Sequence, residues 1–205
     1  FKQRYNTVKD YLKALKKLIF IFFAAEVIKR VAAKVKKPEK STTKNTAEKA
    51  AVNTDRLTIT PMSENELEAL MEETRKTDSE LADAYGDMLE GCRKNPEQFL
   101  WYTAWKISSR ETDEMLGDIC FKGLPENGQP EIGYGIIEKF RCCGYATEAV
   151  AAMCRWAFEQ DFVTAVEAEV ESGNSASLRV VEKCGFVPTG EMGAEGPRYI
   201  LKAEN

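Results

Sequence analysis

The sequence predicts an α/β domain: a mixed, mostly antiparallel sheet of six to seven strands flanked by helices, preceded by a helical extension. Three observations carry this. Short apolar or alternating runs bounded by turn residues recur from Arg56 to Tyr199, as strands do. Between them lie segments whose apolar residues return every three or four positions, as on one face of a helix. The stretch Ile132–Phe158 joins the two patterns: an apolar run containing Gly133 and Gly135, a turn at Arg141 to Gly144, then a helical segment from Tyr145.

At 205 residues the chain holds one domain of ordinary size plus an extension. With 43% hydrophobic and 30% charged residues it falls in the soluble, globular class. The net charge of −4 is unevenly spread. Residues 1–40 carry 12 Lys/Arg against 3 Asp/Glu, a net of +9, and the remainder carries −13. Two units with different surroundings are therefore expected. The six cysteines form no C-x-x-C pair and the chain has no histidine, so no zinc site and no metal is expected. Adjacent Cys142 and Cys143 cannot form a relaxed disulfide, and reduced thiols in a cytoplasmic setting follow. The chain starts at Phe1 without methionine, which leaves a targeting segment upstream open.

In order along the chain, residues 1–37 read as one long basic amphipathic helix or two shorter ones, with Val8, Tyr11, Leu15, Leu18, Phe22, Ala25 and Ile28 on one stripe. The run from Leu18 to Ala25 is apolar all round but far short of the ~20 residues a bilayer needs. Three readings stay open: packing on its own domain or on a second copy of the chain, lying on an anionic membrane surface, or a shortened spanning or export segment. Residues 38–53 are polar and unpatterned, a linker. The domain over 54–205 opens with a strand at Arg56–Thr60. Ser63 and Glu66 form a capping box for a helix Glu64–Thr74, and a second, acidic helix spans Asp78–Arg93. The aromatic run Phe99–Ile107 is expected as a central strand, with Met115–Lys122 as its hairpin partner and Glu131–Ile137 as the fourth strand. Helix Tyr145–Glu159, strand Ala165–Glu171, helix Ala176–Cys184 and a hairpin over Phe186–Tyr199 complete it.

A strand that feeds a glycine-containing loop and then a helix start aims a row of unpaired N–H groups at one point, where the helix dipole adds positive character. Such a point suits a phosphate or pyrophosphate. No G-x-G-x-x-G opens this helix and no G-K-[S/T] follows the glycine, so neither a dinucleotide fingerprint nor a Walker loop is present. Instead Arg141-x-x-Gly144-x-Ala146 resembles the Q/R-x-x-G-x-G/A signature of the GCN5-related N-acetyltransferases (GNAT). Thr54-Asp55-Arg56-Leu57 with Pro61, Glu131-Ile132-Gly133-Tyr134, Gly144-Tyr145-Ala146-Thr147-Glu148-Ala149, and Asn174-x-x-Ser177 followed by Glu182-Lys183-x-Gly185-Phe186 are similar, in order and spacing, to the RimJ/RimL-like subgroup. The resemblance spans residues 54–203.

The resemblance implies a sheet that splays between its fourth and fifth strands and takes acetyl-CoA in the gap. It places the pantetheine arm along Ile136, Ile137 and Glu138, and the pyrophosphate on the backbone of Arg141, Cys142, Cys143, Gly144, Tyr145 and Ala146. Cys142 and Cys143 depart from the glycine, asparagine or basic residues usual there, which removes a charge but leaves the backbone donors. Thiols at a helix N-terminus also raise the expectation of redox sensitivity. Asn174 is expected on the pantetheine arm and Ser177 on the departing thiolate, with helix capping as the other reading of both. Without histidine, the base that deprotonates the amine is expected to be a carboxylate, Glu131 first and Glu195 second, or a water chain. The tyrosine acid that many of these enzymes carry one residue before the Glu-Lys pair is replaced by Val181.

The implied function is acetyl-CoA-dependent N-acetylation of a primary amine by direct attack on the thioester, with acetyl-CoA as cosubstrate. The −13 charge of residues 41–205 favours a cationic acceptor: a protein N-terminus, a polyamine or an aminoglycoside. Nucleic acid is not an expected partner; a homodimer and a membrane surface met through residues 1–37 are. The alternative functions are a CoA-binding sensor without transferase activity, or docking through the basic helix.

Overall fold

The computed structural model describes residues 50–76 and 79–203; the expected helix over 1–37 and most of the expected linker lie outside them. Among the described residues, eight strands form two sheets. β1 (Val52–Asn53), β2 (Leu57–Pro61), β3 (Ala104–Ser109), β4 (Met115–Phe121) and β5 (Ile132–Ile136) run antiparallel in that order, and β6 (Ala165–Glu169), β8 (Pro197–Lys202) and β7 (Val187–Met192) form the second sheet, with β8 in the middle. The short β1 falls within the stretch expected as linker, and pairs Val52 with Ile59.

Period-two alternation sorts the first sheet into two faces. Leu57, Ile59, Ile107, Ile119 and Phe121 pack with Ala149, Val150 and Met153 of α3 (Tyr145–Phe158), all fully or nearly fully buried. On the other face Ala104 and Met115 meet Leu67 and Leu70 of α1 (Glu64–Thr74) and Tyr85 and Leu89 of α2 (Ser79–Lys94). The predicted capping box starts α1: Ser63 Oγ accepts from the Glu66 N–H and the Glu66 carboxylate accepts from the Ser63 N–H at 2.8 Å. One element was read wrongly. Phe99–Trp101 is not strand but the end of a 3-10 helix, Pro96–Trp101, and the strand begins only at Ala104. Proline at the first helical position presets the turn. The turn then swings Trp101 against Trp156 of α3, centroids 4.9 Å apart, while Phe99 goes to the α1–α2 side, a division that a single strand face would not allow.

The two sheets part between β5 and β6. A parallel bridge, Glu131 to Glu167, joins them, and past it the strands belong to separate sheets. α4 (Ser175–Lys183) follows β6 and covers the second sheet's end of the gap.

Candidate active site

The register of β4 and β5 decides which groups line the gap. Glu131 O accepts from the Lys122 N–H and Ile137 N–H donates to Leu116 O, and the pairing between them runs without a shift. In an antiparallel ladder with this register, the odd-numbered residues of β5 turn their backbone toward β4 and the even-numbered ones away from it. Tyr134 and Ile136 therefore present backbone groups to the gap. Ile137, expected on this edge, does not: its N–H is held by Leu116 and its carbonyl accepts from the Phe140 N–H. β5 ends in a 3-10 turn, Glu138–Phe140, and Arg141 closes it, its N–H on Glu138 O and its Nε 3.1 Å from Ile136 O. Arg141 is thus engaged with the strand end rather than contributing its N–H to the loop's cradle.

Cys142 (φ 61°) and Gly144 (φ 81°) both stand in the left-handed region. Gly144 is the N-cap of α3 and no side chain caps the helix, so the first-turn N–H groups of Tyr145 and Ala146 keep no partner within the helix. Sequence reasoning missed the residue that braces this loop. Arg56, from the β1–β2 connection, donates from Nη1 to Cys143 O at 3.0 Å, pairs with the Glu148 carboxylate at 2.6 Å and lies over the Tyr145 ring. Glu148 also accepts from Thr54 Oγ1 at 2.5 Å and from the Arg56 N–H. A Cβ at position 144 would come within 3.4 Å of Arg56 Nη2, so the loop lies close on the guanidinium. A gap with an unpaired strand edge and an uncapped helix start beside it fits an extended amide chain ending in a pyrophosphate.

At the other end, Asn174 is the N-cap of α4, its side chain accepting from the Ser177 N–H at 3.0 Å. Ser177 Oγ lies 2.8 Å from the hydroxyl of Tyr134, which reaches across the gap from β5. Burial pushes the Tyr134 phenol up to about 12, against the opposing effect of the Ser177 bond, so it is a protonated donor at neutral pH. The sequence signal was available: Tyr134 sits between Gly133 and Gly135, on the opposite side of the pleat. Val181 is fully buried in the core.

Beside the gap opens a cavity of about 670 Å³, bounded by α2, Tyr102, β4, β5, the end of β6, the start of α4 and the β7–β8 loop. Six carboxylates border it (Asp87, Asp118, Glu131, Glu169, Glu171 and Glu195) against one amine, Lys122. Glu131 is committed: it pairs with Lys122 and, at 2.9 Å, with Arg198, which also holds Glu167 at 3.0 Å. Arg198 thereby clamps the junction of the two sheets. Glu195 lies in the cavity wall, and its N–H and that of Gly196 donate to the Glu169 carboxylate. Asp118 and Cys120, side by side on the β4 face of the cavity, were not singled out from sequence. Burial pushes the Asp118 carboxyl up to about 7 and the Cys120 thiol up to about 12. Among the described residues no cluster of metal-ligating side chains occurs, and no helix is long and apolar enough to cross a membrane.

Residues 56–187 match the acetyltransferase (GNAT) domain family. Over 87 residues, 42% of this chain, the sequence is 33% identical to the uncharacterized N-acetyltransferase YjdG of Bacillus subtilis, and the aligned part spans about half (52%) of that relative. Among solved structures, the RimL ribosomal-protein alpha-N-acetyltransferase in complex with coenzyme A superposes with a TM-score of 0.59 at 16% identity, covering 75% of this chain and 97% of that one. A spermidine N-acetyltransferase SpeG chimera from Vibrio cholerae superposes with a TM-score of 0.56 at 12% identity over 71% and 95%. At these identities the superpositions show the fold alone. With the family match covering well over half of the chain, from Arg56 in the β1–β2 connection to the start of β7, the protein belongs to the GNAT acetyltransferase family.

Proposed function

We propose that this chain transfers an acetyl group from acetyl-CoA to a cationic primary amine. The observation that carries the reading is the meeting of the β5–β6 gap with an acidic cavity: an edge for the cofactor's amide chain opens directly onto a chamber that attracts ammonium groups. Acetyl-CoA would supply the activated acyl group, with its pyrophosphate on the N–H groups of the Cys142–Ala146 loop and its pantetheine arm along Tyr134 and Ile136. The chain's own residues supply the rest. The carboxylates draw the amine in and stabilise its charge. The Tyr134–Ser177 pair offers a half-buried hydroxyl proton to the sulfur that leaves. Glu131 holds the chamber's wall through Lys122 and Arg198, and Glu195 closes the far side.

The acceptor class is read from charge and space: 670 Å³ holds a polyamine or the first residues of a polypeptide, and six carboxylates disfavour an anionic amine. The names of the superposed structures, a ribosomal-protein α-N-acetyltransferase and a spermidine N-acetyltransferase, cover both classes. Release of CoA thiol, followed with purified chain and a panel of spermidine, an aminoglycoside and short peptides with free N-termini, tests the reading. Turnover on at least one cationic amine is expected. Tight acetyl-CoA binding with no turnover on any of them would instead favour a CoA-binding sensor.

A further inference from the structure

Among the carboxylates around the cavity, Asp118 differs from Glu131, Glu169 and Asp87 in its setting. Glu131 is paired with Lys122 and Arg198, and Glu169 takes two backbone N–H groups of the β7–β8 loop. Asp87 is exposed on α2. Asp118 sits in the middle of β4, directly opposite Gly135, and among the described residues no cation forms an ion pair with it, Lys106 at the facing position of β3 included. We infer that Asp118 seats the acceptor amine and takes its proton, an assignment that rests on the acetyl-transfer reading above.

The backbone builds an open path from Asp118 to the gap. Asp118, Cys120 and Lys122 share a face of β4 with Glu131, Gly133 and Gly135 of β5, as the Lys122–Glu131 ion pair shows. Gly133 and Gly135 put no side chain on that face, and a Cβ at Gly133 would already lie 3.5 Å from Cys120 Sγ. An amine resting on Asp118 therefore meets no side chain between itself and the edge of β5, where the thioester must lie if the pantetheine arm follows that edge. The roof is α2, whose buried Tyr85 faces the carboxylate closely enough that burial and the Asp118 charge both push its phenol upward. The titratable groups around Asp118 are thus Tyr85 above it, Cys120 beside it and Lys106 across β3. In this company the carboxyl's own titration lies near neutrality, where a base for a bound ammonium is most useful.

The step balances. An N–H proton of the ammonium passes to an Asp118 oxygen, and the freed lone pair forms the C–N bond at the acetyl carbon. The tetrahedral adduct collapses by breaking the C–S bond, and the electron pair leaves on sulfur. The second nitrogen proton reaches that sulfur by way of the Tyr134–Ser177 hydroxyls, and Asp118 returns its proton to solvent as the amide departs.

The test uses the full chain and the best amine of the panel. In the wild type, kcat/KM is expected to rise with pH through an ionisation near neutrality. Asp118→Asn is expected to lower kcat at least 100-fold, to abolish that ionisation and to leave the dissociation constant for acetyl-CoA, measured by calorimetry, within threefold. Glu131→Gln serves as the contrast and is expected to keep the ionisation. A wild type that turns over while Asp118→Asn retains its rate and pH profile overturns this assignment alone; a wild type inert on every amine overturns the transfer reading and this one with it. Should Asp118→Asn fail to fold, the pH profile of the wild type decides by itself, and a profile flat between pH 6 and 8 counts against the assignment.

Discussion

The hydroxyls of Tyr134 and Ser177 stand 2.8 Å apart across the gap between the two sheets, one from β5 and one from the first turn of α4. Neither strand nor helix alone makes this pair; it exists because β5 and β6 part while α4 reaches back over the opening. Tyr134→Phe and Ser177→Ala should each lower kcat by about 10- to 100-fold. The double variant should lose little more than the worse single one, since the two act as a unit. Steady-state rates at saturating acetyl-CoA check this, and an additive loss would separate their roles.

The Arg56–Glu148 pair predicts a linked loss of stability and cofactor affinity. Burial, the largest influence on Glu148, raises its pKa but is outweighed by the bonds from Thr54 and Arg56, so the net direction is down. With a depressed value in the folded state, the stabilisation is full above the unfolded glutamate value of about 4.3 and is lost as pH falls below it. Glu148→Gln should therefore cost about 1 kcal/mol at pH 7, allowing for the exposure of Arg56, and progressively less towards pH 3. Thermal melting across pH reads the first effect, and a several-fold rise in the KM for acetyl-CoA reads the freed loop.

Gly117 tests how closely β4 and β5 must approach. A Cβ there would fall 2.0 Å from Gly135 O, a backbone atom that cannot swing aside. Gly117→Ala should destabilise the chain by about 3 kcal/mol in urea titration, by forcing the strands apart. Because the displaced segment is the one that ends at the gap, acetyl-CoA binding should weaken even where the variant remains folded.

Asp118 predicts a trade of stability for chemistry. Its carboxyl is raised in the fold to about 7, so the folded state binds the proton more tightly than the unfolded chain does. Stability is full below the unfolded aspartate value of about 3.9 and falls as pH rises towards 7. Asp118→Asn removes this loss, and at pH 8 the variant should be more stable than the wild type, by on the order of 3 kcal/mol. Denaturant titrations at pH 5 and pH 8 should show the gap between the two proteins widening with pH.

Local signals were legible in the sequence and distant ones were not. Ser63 and Glu66 announce their capping box within four residues, and Arg141 to Ala146 announce a loop and helix start, because both depend on neighbours along the chain. The 3-10 turn at Pro96–Trp101 was masked: aromatic residues favour strands in general, and Pro96 at the first helical position together with the docking of Trp101 on Trp156 overrides that preference. Arg56, Tyr134 and Asp118 were missed for a related reason. Arg56 meets Glu148 from 92 positions away, and Asp118 reaches the cavity only through the register of β4 on β5. No spacing in the sequence encodes either.

The placement of β8 between β6 and β7 sets a timetable for synthesis. A chain emerging N-terminus first has Arg56 long before Glu148, and the walls at Ala84 and Tyr85 long before Glu195. Until β8 slots between its neighbours, Arg198 is missing from Glu131 and Glu167 and the junction of the sheets has no clamp. A nascent chain that stops short of β8 therefore lacks both the Arg198 clamp and the cavity wall at Glu195.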